Sequence, residues 1–330
     1  DQIFDIAKKE SKIRPYYIDE KRLITLMMKM DADVVVMTMP DIENFHIKRS
    51  YIRKDINYVY VPHCMDSMNM TMRKGSIDHY DSVLCTGKLQ KEETLKTEIA
   101  YGLPKKELVE WGYSLLDDMK ADYEKLPKTE HDKKSILIAP SWQKDNIVDN
   151  CLEELLDNLK GHGYKITVRP HPQHVRHMPE KMEGLKEHYK SDDDIEIQMD
   201  FSSNSTVFEA DMMITDWSGI AYEYAYTTFK PVLFIDTPMK VMNPEYTKID
   251  VEPMNIWMRE EIGKILKLDE IDKASHTVEE MLNNSEQYKK HIEQLVSENV
   301  YNIGHSAEVG GKYIISQIQK AIDRHKKIQD

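Results

Sequence analysis

The sequence predicts an α/β protein of two doubly wound domains facing one another across a cleft, and three observations carry that prediction. The chain has 330 residues, enough for two domains at roughly 100–200 residues each. Short apolar runs alternate with stretches of helical periodicity, as parallel sheets covered on both faces require. Between 122 and 134 the segment "DYEKLPKTEHDKK" loses that periodicity and is dominated by charge, which marks a linker. The domains are therefore placed at 1–125 and 135–330, with the linker at 126–134.

In the first half, "EKRLITLMMKM" (20–30) sets Leu23, Met27 and Met30 on one helical face, and "ADVVVMTM" (32–39) follows as a buried strand. "INYVYVPH" (56–63), "YDSVLCTG" (80–87) and "ELVEWGY" (107–113) each read as a strand running into a loop. "KLQKEETLKTEIAYG" (88–102) is a helix closed by Gly102. The second half restarts the alternation, with strands at 135–140, 164–172, 195–199, 211–216 and 230–236 and helices at 149–163, 179–189 and 218–226. After "NPEY" (243–246) the chain reads as mostly helical to its end.

A net charge of -13 argues against a broad nucleic-acid surface, because such surfaces cluster cations against phosphates. The basic runs "FHIKRSYIRKD" (45–55) and "MTMRKG" (70–75) read as solvated surface ahead of an anionic membrane face. Cys64, Cys85 and Cys151 lack C-x-x-C spacing, so they read as reduced thiols of a cytoplasmic protein. The longest apolar runs are strand-sized. The 20 methionines read as core filler. The chain opens on Asp1 without a signal-peptide pattern, and is expected to be a trimmed piece of something longer.

In doubly wound sheets ligands sit beyond the carboxyl ends of the strands. Three such loops in the second half are chemically loaded: "APSWQKDN" (139–146), "RPHPQH" (169–174) and "TDWSGIAYEY" (215–224). Asp216 and Ser218 stand where a helix N-cap belongs, with Gly219 opening the helix. Plain capping competes there with phosphate binding by free amides. Arg169 and His171 bring donors to the same rim, and the flanking prolines fix His171. A satisfied structural histidine is the alternative. His174 and His177 are expected on the surface that follows, and no carboxylate stands at metal-ligand spacing among them. Glu223 suits either ribose hydroxyls or solvent. In the first half, His63 is expected at its sheet's carboxyl end, as a base for an attacking hydroxyl or as a buried polar residue. Asp66 and the His79-Tyr80-Asp81 run are secondary candidates. No G-x-G-x-x-G, Walker, G-x-S-x-G or H-E-x-x-H motif occurs.

The ordered set of Pro62-His63, "APSW", "RPHP", "ITDWSGIAYEYAYTTFKPVLFIDTP" and a helical tail resembles the CDP-glycerol glycerophosphotransferase family, the teichoic-acid primases and polymerases with a GT-B fold of two Rossmann-like domains. The resemblance implies a donor pyrophosphate held around Arg169, His171, Asp216, Ser218 and Gly219. It places the nucleotide and ribose near Ser141, Trp142 and Glu223, and makes His63 the general base with His171 beside it in catalysis. The CDP-linked polyol is then a substrate, with no resident cofactor and no essential metal. The acceptor is a lipid-linked or polymeric hydroxyl, and a peripheral contact at the inner face of the cell membrane is compatible with it. The first domain is short for this fold, so its N-terminal part is expected to be truncated. Two positions depart from the family pattern: Cys64 replaces a common Gly after His63, and Gln143 replaces an Arg after Trp142. These departures support a catalytically silent scaffold as one alternative. The other is a nucleotide-sugar glycosyltransferase or UDP-sugar 2-epimerase.

Overall fold

Among the described residues, ten short strands build two wholly parallel sheets in the computed structural model, which describes residues 2–127, 132–201 and 205–329. The first sheet holds β1 (Val34–Met37), β2 (Asn57–Tyr60), β3 (Ser82–Cys85) and β4 (Glu107–Glu110), in that spatial order. The second holds β5 (Lys134–Ile138), β6 (Tyr164–Val168), β7 (Ile195–Ile197), β8 (Met212–Thr215), β9 (Val232–Asp236) and β10 (Gly263–Lys267), ordered β10-β9-β8-β5-β6-β7. Central strands β5 and β8 pair through Ile136↔Met212 and Ile138↔Ile214, all four buried. Burial on both faces explains their uninterrupted apolar sequence. The strand order reverses between β5 and β8. Their following loops diverge to opposite faces there, and a crevice opens at their carboxyl ends.

Local chemistry sets several boundaries as expected. Asp19 caps the Glu20–Met28 helix by accepting from the Lys21 amide, and Gly102 closes the Lys88–Tyr101 helix at φ 61°, a conformation glycine adopts without steric cost. Other expectations need correction. The β1 run is an edge strand, with Val36 43% exposed. The 149–163 helix is two pieces, Ile147–Asn150 and Leu152–Leu159, broken at Cys151. β6 stops at Val168, because Pro170 and Pro172 bring no amide proton to a ladder. The "mostly helical" last third contains β10. Gly263 fits there because its backbone runs against Val232, whose carbonyl oxygen would lie 1.6 Å from any Cβ.

The helix Ser114–Lys125 runs into the expected linker, and residues 128–131 of that linker lie outside the described residues. The last helix, Ser306–Gln329, packs on the first sheet. Tyr313 donates to Ser82 Oγ at 2.6 Å, and His325 meets Asp55 at 3.1 Å. The expected solvated basic runs are tied internally. Arg49 pairs with Asp81, Arg53 with Asp31, Asp33 and Asp55, and Lys74 with Glu245.

The two sheets share one apolar cluster. Leu116 and Met119 from the first half lie in it with Tyr222, Ala225 and Tyr226 from the second. Buried hydrogen bonds reinforce the junction: Asn255 Oδ1 accepts from the Ser67 amide at 2.7 Å, and Asn243 Nδ2 donates to the Asn69 carbonyl at 3.0 Å.

Candidate active site

β2 ends at Tyr60, and the next residues carry His63, exposed, to the carboxyl end of the first sheet. There it faces the loops that leave β5, β6 and β8. A cavity of about 450 Å³ lies between, lined by His63, Cys64 and Asp66 on one side and by Trp142, Arg169, His171, Ser218, Gly219, Glu223 and Lys240 on the other. Seven expected site residues thus converge: His63, Trp142, Arg169, His171, Ser218, Gly219 and Glu223.

His171 owes its setting to the prolines. It is the N-cap of the Pro172–His177 helix, and its Nδ1 accepts from the Gln173 amide at 3.1 Å. An accepting Nδ1 carries no proton, so the neutral ring keeps its hydrogen on Nε2 and is a donor there. Burial, with the nearby Lys240 charge, holds its pKa below the usual histidine range and keeps the ring neutral. Arg169 reaches Thr206 Oγ1 at 3.1 Å and lies over the Phe201 ring, so its guanidinium is partly committed to its own domain. Ser218 and Gly219 precede the Ile220–Thr228 helix, whose cap is Gly219 with no side-chain hydrogen bond. That start offers amide donors and the positive end of the helix dipole to an anion.

Two expected site residues face elsewhere. Asp216 is not the helix cap. Its carboxylate is fully buried, and it accepts from the Ser141 amide at 2.7 Å and the Ile147 amide at 3.2 Å. It therefore ties the β5 loop to the β8 loop. Ser141 is also buried, behind Trp142 in the chain and off the cavity wall. A third correction concerns His174, expected at the surface. It is fully buried, its Nε2 accepts from Asn146 Nδ2 at 3.0 Å, and burial lowers its pKa to about 4. Exposed His177 stacks on Trp142 with ring centroids 5.7 Å apart, so that helix and its N-cap His171 together brace the indole.

Glu223 points to the first domain, where the Tyr113 hydroxyl stands 3.2 Å from its Oε1. At the departure from the family pattern, the Cys64 thiol donates to Asp66 at 2.6 Å, and burial pushes its pKa well above the usual thiol range. Burial also raises the Asp66 carboxyl, against the hydrogen bond from Cys64. Across the cavity, a Cβ on Gly219 would meet Asp66 Oδ2 at 3.8 Å and Cys64 Cβ at 4.0 Å, ordinary van der Waals contact. Gln143 donates to the Pro238 carbonyl at 3.0 Å and braces the loop after β9. Asp81, a secondary candidate, is structural: it pairs with Arg49 and accepts from the Tyr58 amide.

Lys240 was not singled out from the sequence. It makes no ion pair with the described residues, yet it lines the cavity beside His171 and Asp66. The signal lay in its position four residues past the end of β9. Among the described residues no group of three His, Cys, Asp or Glu side chains is placed to hold a metal ion. No described helix is long and apolar enough to cross a membrane.

Two parallel-sheet domains joined across a cleft at their strand ends make this a GT-B protein. Residues 18–303 match the CDP-Glycerol:Poly(glycerophosphate) glycerophosphotransferase family, and the chain belongs to that family. It is 24% identical over 265 residues to the minor teichoic acid biosynthesis protein GgaB of Bacillus subtilis (strain 168). That match takes in 70% of this chain but 27% of GgaB, so the chain spans about a quarter of that relative's length. In structure it is similar to a variant of the wall teichoic acid polymerase TagF soaked with CDPG, at TM-score 0.60 and 14% identity over 98% of this chain and 84% of that one. The UDP-GlcNAc 2-epimerase of Methanocaldococcus jannaschii, in complex with UDP-GlcNAc and UDP, is similar at TM-score 0.57 and 16% identity over 96% of this chain and 88% of that one. At these identities the structural likeness is one of fold.

Proposed function

We infer that the chain transfers glycerol phosphate, or a related polyol phosphate, from a CDP-linked donor to a hydroxyl of a lipid-linked or polymeric acceptor. The observation that carries this reading is the convergence of His63 from one domain with His171, Ser218, Gly219 and Lys240 from the other on a single cavity. Family membership supplies the donor class. The acceptor oxygen bonds to the phosphorus that carries the polyol, and its proton passes to the His63 ring. The bond from that phosphorus to the bridging oxygen breaks, and the oxygen leaves with its electron pair as part of CMP. Such a step needs positioning and charge stabilisation more than covalent help. The His171 Nε2 hydrogen, the Lys240 ammonium and the amides at the start of the Ile220–Thr228 helix supply donors for the phosphate oxygens. Trp142, braced by the histidine helix, offers a flat face toward the nucleotide. Ser141 and Asp216 act behind the site by holding its loops.

His171→Asn tests the donor side. Asparagine keeps the N-cap, so the fold is retained while the imidazole donor is removed. Donor affinity, measured by titration with CDP-glycerol, is expected to fall about 10- to 100-fold, the value of one hydrogen bond to a charged group. Turnover should fall with it. An unchanged dissociation constant would return His171 to a purely structural role.

A further inference from the structure

We propose that Glu223 is a positioning residue for His63, holding the base-bearing segment in place through Tyr113 by means of its own proton. The proposal rests on the reading of His63 as general base. It starts from three oxygens in a row across the domain junction. The Tyr113 hydroxyl lies 2.9 Å from the His63 carbonyl oxygen and 3.2 Å from Glu223 Oε1.

A phenol carries one proton, and a carbonyl oxygen can only accept. Given to the His63 carbonyl, the Tyr113 proton leaves the contact with Glu223 to be completed by a second proton, which only a carboxylic acid can supply. An ionised Glu223 would draw the Tyr113 proton to itself. The His63 carbonyl would then face the phenol's lone pairs and lose its anchor. The acid form satisfies all three oxygens, and the carboxylate does not.

The surroundings favour the acid. Burial pushes the Glu223 carboxyl up to about 7, with the Tyr113 hydrogen bond acting the other way and the Asp66 charge adding to the rise. The loop after β2 presents His63, Cys64 and Asp66 toward it, and the end of β4 presents Tyr113. Lys120, on the helix packed against the Ile220–Thr228 helix, donates instead to the Tyr226 carbonyl. Lys240 lines the same wall as Glu223, and its charge acts on Asp66 and His171. No cation forms an ion pair with Glu223 among the described residues.

The test compares wild type with Glu223→Gln, Glu223→Ala and Tyr113→Phe in two measurements. The first is the pH profile of kcat and KM for transfer. Glutamine donates to Tyr113 at every pH, so it should recover most of the activity that alanine loses, and it should remove a fall in wild-type kcat as pH rises through about 7. Alanine and Tyr113→Phe should lower kcat about tenfold, and Tyr113→Phe should leave donor KM nearly unchanged, because its hydroxyl belongs to the first domain and anchors the His63 carbonyl. The second measurement is melting temperature against pH, which needs no turnover. A carboxyl whose pKa is raised in the fold stabilises it fully below the unfolded value near 4.5. That contribution is lost as pH climbs through about 7, so the melting temperature of Glu223→Gln should gain on wild type over this window. A gap that does not change with pH, or a glutamine variant as impaired as alanine, would overturn the proposal. A gap that opens in a wild-type chain unable to transfer would overturn the assigned reaction and the positioning role with it, leaving only the proton on Glu223.

Discussion

His63→Ala is expected to lower transfer by about 100- to 10,000-fold, the usual contribution of a general base, while the donor still binds. The side chain is exposed in the cavity, so its removal leaves no buried void and should not disturb the melting temperature. Its backbone is fixed independently of the ring: Pro62 is buried, and the His63 carbonyl is held by Tyr113. The Tyr60 hydroxyl stands 3.4 Å from Nδ1, a weak contact whose loss costs little. On the proposed reading the donor phosphates meet the opposite wall, so titration with CDP-glycerol should give a dissociation constant within a few-fold of wild type. Single-turnover transfer is the measurement that separates the two effects. Undiminished turnover would remove His63 as base and leave its carbonyl as its only structural contribution.

Asp216→Ala should be the most destabilising change at the site. The carboxylate is fully buried and is the acceptor for two amides, Ser141 and Ile147. Each buried donor left without a partner costs about 1–3 kcal/mol, so the loss should be about 2–6 kcal/mol in urea unfolding. The consequence reaches function through the loops. Asp216 joins the ends of β5 and β8 at the point where the strand order reverses, and the β5 loop carries Trp142. Donor binding should weaken even where the variant folds. Asp216→Asn keeps one accepting oxygen and should lose roughly half as much. A stable Asp216→Ala chain would show that water replaces the carboxylate and that the two loops do not depend on it.

The parallel strands were legible because central strands buried on both faces leave continuous apolar runs, as in "SILIAP" and "DMMITD". β10 was not, because "GKILK" is a short edge strand whose glycine records a close backbone approach that only the folded sheet reveals. The last helix was readable as a helix. Its return to the first sheet depends on contacts such as Tyr313 with Ser82, which no local pattern encodes. Candidate residues on strand-end loops were found by position, and seven reached one cavity. Position does not tell which way a side chain points. Asp216, Ser141 and His174 therefore turned out to be supports: their polar groups, or their backbone amides, complete hydrogen bonds inside the domain. Lys240 was overlooked because "DTPMK" resembles any solvated turn until the end of β9 is fixed.

The donor that the cavity takes separates glycerol-phosphate transfer from glycosyl transfer or epimerisation. Calorimetric titration of the purified chain with CDP-glycerol, UDP-N-acetylglucosamine and CMP tests this most directly. The predicted result is selective binding of CDP-glycerol, weakened in His171→Asn and preserved in His63→Ala. Binding of the UDP-sugar without CDP-glycerol would contradict it and move the chain to glycosyl transfer or epimerisation.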